Sequence, residues 1–144
     1  MLMDAMSIKL ARIIRFDPAL SVKEKIERLE LMAEAFAEMS QKKDLEFCCI
    51  GEESIYAILG GMLTADNSSI DDVIRVREKQ FASMEKIMVV AKTDEVLAEQ
   101  IRITYKTDNM LVWMINRLLN MPHPQFAKLR ENPKYMEMLH KWVR

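Results

Sequence analysis

Four residues in this chain carry the chemistry of a nucleophile, a general base or a soft metal ligand: Cys48, Cys49, His123 and His140. A catalytic thiol needs a histidine folded within hydrogen-bond reach. Either histidine could serve, but neither stands near the cysteines in sequence, and small apolar side chains packed in a helical core are the simpler reading of the pair. Adjacent cysteines also lack the intervening residues that let two thiolates grip one tetrahedral zinc ion. Their consecutive Cβ atoms point in different directions, which argues against a disulfide between them. Glu137 and His140 have the i, i+3 spacing that one helix of a di-iron bundle contributes, yet a second such pair is missing and His123 sits between Pro122 and Pro124. The acidic stretch 66–72 has neither the central glycine nor the bidentate glutamate of a calcium loop. Glycine-rich phosphate loops, dinucleotide fingerprints and serine elbows are absent from the sequence. The expectation is no metal, no cofactor and no catalytic set.

Whatever these residues do, helices must hold them. Half of the 144 residues are hydrophobic and 30% are charged, with 3 Gly and 4 Pro, which excludes disordered, collagen-like and turn-rich β chains. The length fits one domain over residues 1–144. A first amphipathic helix covers 1–16, and Pro18 separates it from a second that starts at the capping box Ser21-Val22-Lys23-Glu24 and runs to about residue 43. A third segment carries Gly51, Gly60 and Gly61, and the first of these predicts a helix beginning only near Glu52. Ser69 with Asp72 starts a fourth helix, Thr93 and Thr107 are the expected caps of the fifth and sixth, and Asn132-Pro133 opens the last. The sixth, about 108–121, reads as apolar nearly all round, the pattern of a buried centre. The predicted architecture is therefore an all-α, single-domain bundle of six or seven helices around that central helix.

The stretch from Pro124 through Asn132-Pro133 and Tyr135 to Leu139 resembles the tail that can follow a tetratricopeptide array. It covers about sixteen residues, Pro-initiated helices explain it, and no fixed period precedes it, so no function is carried over.

Net charge is −1, from 21 basic and 22 acidic side chains, too balanced for general binding to a phosphate backbone. A helix-turn-helix over 95–119 has suitable lengths, but its second helix presents Met110, Leu111, Val112, Trp113, Met114 and Ile115, with Arg117 the one basic residue, where a recognition helix needs polar side chains. Asp4, Lys9, Arg12 and Arg15 break up any leader-like apolar run, and with two thiols and no disulfide framework this points to a reducing, cytoplasmic setting. An Arg-bearing amphipathic start is also the form of a transit peptide. The longest apolar run, 110–115, falls far short of the roughly 18 residues a spanning helix needs.

Two features remain. Residues 1–72 carry a net −6 and residues 73–144 a net +5, so the molecule is dipolar unless helices of the two halves interleave. Methionine is abundant, 13 in all, and its adaptable thioether suits irregular cores and protein-binding surfaces alike. The leading functional expectation is a non-enzymatic helical interaction or regulatory module, docking a protein partner or a second copy through Tyr135, Met136, Met138 and Trp142. Met1, Met3 and Met6 supply further candidate surface at the other terminus. The alternative is a small-molecule-binding or catalytic bundle with a pocket beside Trp113 and Cys48, Cys49 or His140 nearby. A DNA-binding helical regulator is the third reading.

Overall fold

The computed structural model describes residues 2–143 and is all helical. Helices α1 (Leu2–Arg15), α2 (Val22–Ser40), α3 (Cys49–Ala65), α4 (Ile70–Ala91), α5 (Glu95–Tyr105), α6 (Met110–Asn120) and α8 (Pro133–Trp142) follow in order, with a two-turn helix, α7 (Pro124–Arg130), before the last. A single 3-10 turn, Glu46–Cys48, leads into α3. Among the described residues the buried hydrophobic side chains other than Cys48 form one cluster.

Local chemistry sets the boundaries. Ser21 Oγ accepts the Glu24 N–H at 3.1 Å, Ser69 Oγ accepts that of Asp72 at 3.3 Å, and Asn132 accepts that of Lys134 at 2.9 Å. Each satisfies an amide that the first turn leaves without a partner. The expected threonine caps are displaced by one or two residues. Asp94 rather than Thr93 accepts the Leu97 N–H, and Asn109 rather than Thr107 accepts that of Val112. Thr107 instead takes the Asn109 N–H, a loop bond that holds the capping residue in place.

The centre of the bundle is α3, not α6. Helix α3 buries side chains all round, from Cys49 through Tyr56 to Thr64, and lies against α1, α2 and α4. Helix α6 buries one stripe, Met110, Leu111, Ile115 and Leu118, and leaves Asn116, Arg117 and Asn120 in water. That polar arc makes it a flanking helix over α4, α5 and α8. Helix α3 begins at Cys49, so Gly51 lies inside it; a Cβ there would meet the Phe36 ring of α2 at 2.9 Å. The stretch Glu46–Ala65 is long and apolar enough to cross a membrane, but most of it is buried inside the bundle, as befits a central core helix, and no clear membrane span results.

The two charge halves interleave. Glu30 of α2 pairs with Arg75 and Lys79 of α4, Glu52 of α3 with Lys86 of α4 at 2.9 Å, and Asp71 with Lys134 at 3.8 Å. Acidic side chains from the first half thus lie against basic ones from the second.

Candidate functional site

Helix α1 meets α3 through small residues. Ser7 and Ala11, one turn apart, are fully buried, and their size lets the two helices approach closely. The large apolar residues of α1 are consequently turned away from the bundle: Met6, Leu10, Ile13 and, just past the helix end, Phe16 are 51%, 43%, 69% and 67% exposed. Their spacing of four, three and three places them along one side. Lys9 lies among them, also exposed. The neighbouring helix shows the opposite sign. On α2, Leu31 is 66% exposed, and Glu24, Glu27, Glu34 and Glu38 surround it at helical spacings, all exposed.

The remaining side of α1 walls a groove of about 470 Å³. Ile8, Arg12 and Arg15 form this wall; Ser54, Ala57 and Ile58 of α3 with Gln80 and Met84 of α4 form the floor; Tyr105, Trp113, Met114 and Arg117 stand opposite. Trp113 is held edge-on to Tyr105 at 4.8 Å, and the Arg117 guanidinium lies over its ring at 5.3 Å. Among the described residues none of Arg12, Arg15 and Arg117 is in an ion pair. Glu53, the one carboxylate in the groove among the described residues, accepts from Gln80 Nε2 at 3.3 Å, and Gln80 in turn accepts from Arg77 Nη1 at 2.7 Å.

Arg77 is a cation inside the core, 3% exposed, and burial pushes its pKa down. It reaches its place because α3 has glycine opposite: a Cβ on Gly60 would lie 2.6 Å from the guanidinium carbon. Among the described residues its Nε and the buried Tyr135 hydroxyl have no hydrogen-bond partner.

The sequence-predicted residues are distributed as follows. Trp113 lines the groove, whereas Cys48, Cys49 and His140 do not, so the expected cluster does not assemble. Both cysteines are free and buried. Burial raises both thiol pKa values, and burial together with Glu52 pushes Cys49 up to about 12, which keeps it protonated at neutral pH and without nucleophilic character. His140 is exposed on α8, and His123 caps α7 through Nδ1. Among the described residues no His, Cys, Asp and Glu group converges to hold a metal ion.

The docking surface expected on α8 is corrected. Tyr135 and Met138 are core residues, and Met136 is half-buried. Trp142 packs edge-on to Phe81 at 5.7 Å and donates Nε1–H to Glu78 at 3.2 Å. The α8 stripe is therefore satisfied within the chain. At the other terminus Met6 is exposed, while Met1 lies outside the described residues, as does the side chain of Met3. Arg12, Arg15, Leu10, Ile13 and Phe16 were not singled out as site residues by sequence reasoning. The signal available was the Ser7/Ala11 pair, which marks the packed side of α1.

Compared with known proteins, the chain matches no family model, no curated protein and no solved structure.

Proposed function

We propose that this chain is a non-enzymatic helical interaction module that associates with a second copy of itself, the outer face of α1 packing on the outer face of α2 of the other molecule. The observation that carries it is the bare stripe Met6, Leu10, Ile13 and Phe16, a run of large apolar side chains that the bundle does not cover. Apolar surface of this kind, bordered by polar residues, is what an association site offers. The charges support a second copy as the occupant. Lys9 belongs to the apolar stripe of α1, while Leu31 of α2 sits among four glutamates. Because both faces are on one molecule, a two-fold pairing lets each α1 meet the other's α2, so every contact is made twice and the assembly closes. Opposite charges around an apolar centre also fix the register of such a pair.

Light scattering across a concentration series tests the reading. The mass should rise from 16.8 kDa toward twice that value. Ile13→Asp should hold it at the monomer. Lys9→Glu should weaken the dimer, and adding Glu27→Lys should restore it. A wild-type mass that stays at the monomer value up to millimolar protein overturns the proposal.

A further inference from the structure

The groove between α1 and α6 poses a separate question, independent of self-association. Ile58 on its floor and Trp113 and Met114 on the wall opposite α1 contribute part-exposed apolar side-chain surface, and its volume of about 470 Å³ lies in the range of small-molecule sites. Three guanidinium groups line it, Arg12 and Arg15 from one wall and Arg117 from the other, and among the described residues none is neutralised by an ion pair. The carboxylate that could oppose them, Glu53, is engaged by Gln80 and lies in the field of the buried Arg77. Among the described residues the net sign facing a ligand is positive. Arginine forks recognise carboxylate and phosphate oxygens in pairs, and a guanidinium lying on an indole, as Arg117 lies on Trp113, is held in place before any ligand arrives.

We infer that this groove binds a monomeric amphipathic anion, its apolar body against Trp113, Met114 and Ile58 and its carboxylate or phosphate head between the arginines of the two walls. At about 470 Å³ the groove is of the size that takes a small ligand, and a twelve-carbon acid is of that order. A cationic amphiphile of the same length meets like charge and is excluded. An uncharged one lacks the head-group contacts. Trp113 reports occupancy, because a chain laid against its ring changes the polarity around the indole.

The test is titration of the full chain with dodecanoate below its micellar concentration, with dodecanol and dodecyltrimethylammonium in parallel. Binding is followed by calorimetry and by tryptophan emission in a Trp142→Phe background. Dodecanoate should bind one per chain and shift the emission, and the cationic counterpart should not. Arg15→Gln and Arg117→Gln change exposed side chains, so folding is preserved and can be confirmed by unchanged melting; each should weaken binding about tenfold, the worth of one charge-assisted contact. Equal affinity for all three head groups overturns the inference. So does affinity unchanged when Arg12, Arg15 and Arg117 are all glutamine, or lost through Ile13→Gln on the outer stripe while the arginine variants still bind. Sedimentation with phosphatidylglycerol vesicles in place of binding to the monomeric acid would likewise overturn it, assigning the arginines to a lipid surface.

Discussion

Gly60 and Gly61 are neighbours in the middle of α3, and the structure assigns their replacement by alanine opposite signs. At Gly61 the new methyl group meets nothing within 4 Å and the position is exposed, so the change acts only through helix propensity. That term favours alanine over glycine by about 1 kcal/mol. At Gly60 the same methyl would stand 2.6 Å from both Cζ and Nη1 of Arg77 and 2.9 Å from Nε. The guanidinium must move, and it is buried, so it gives up the 2.7 Å bond from Nη1 to Gln80. A hydrogen bond to a charged group contributes about 1.5–3 kcal/mol, which exceeds the propensity gain and leaves Gly60→Ala destabilised by about 0.5–2 kcal/mol. The two variants should differ by roughly 1.5–3 kcal/mol, or about 5–9 °C in melting temperature for a chain of this length. Urea and thermal unfolding followed by far-ultraviolet circular dichroism measure the difference. Repeating Gly60→Ala in an Arg77→Leu background removes the three atoms in the way and should abolish the penalty. If Gly60→Ala is as stable as Gly61→Ala, or its penalty survives without Arg77, then the close packing of α3 on α4 has been misread.

Two further outcomes follow from buried polar groups. Lys86→Ala strips Glu52 of its partner; the Glu52 side chain is 6% exposed and that of Lys86 42%, so part of the pairing is screened by solvent and the expected cost is about 2 kcal/mol, read as a lower urea midpoint. The Cys49 thiol is held at about 12 against an ordinary 9.0, so the unfolded chain releases its proton first, and stability should be intact below pH 9 and decline as pH rises from 9 toward 12. Cys49→Ala should flatten that decline, and in the native wild type neither cysteine should label with a thiol reagent at neutral pH until denaturant is added.

Much of the helical order is legible because it is decided locally. Ser21 with Glu24 and Asn132 with Pro133 act within one turn, and the Ser21 and Asn132 side chains accept the expected amides, although the Glu24 carboxylate accepts from Ser21 Oγ rather than from the Ser21 N–H of a full capping box. The identity of the central helix is not local. Helices α3 and α6 are both rich in apolar residues, and what separates them is which neighbours each can admit. Gly51 admits the Phe36 ring, Gly60 admits Arg77, and Glu52 is tolerated inside because Lys86 reaches it. Each of those partners lies far away in sequence. Against that, Asn116, Arg117 and Asn120 fall on one arc of α6, and this arc was the available sign that α6 has a wet side.

Helix α1 was legible as amphipathic but not as facing the way it does. Its apolar residues fall in two arcs, Ile8, Ala11 and Ile14 on one and Met6, Leu10 and Ile13 on the other, and hydrophobicity alone favours burying the second. The small side chains reverse that choice. Ser7 and Ala11 let α1 come close to α3, which brings Arg12 and Arg15 to the mouth of the groove and leaves Leu10 and Ile13 outside. A helix that buries its smaller residues and shows its larger ones gives up transfer free energy of about 25 cal/mol for each Å² left in water. Such an arrangement is stable only where close packing offsets the loss, and another molecule covering the exposed side would recover it. Enlarging the contact from within should therefore separate packing from exposure. Ala11→Leu, at a fully buried position, should push α1 away from α3 and lower the melting temperature, while Ile13→Gln should leave the melting temperature of the dilute monomer unchanged and lower it only where copies associate. A stabilising Ala11→Leu would mean that α1 lies loosely on the bundle, and the orientation of both its faces would have to be assigned anew.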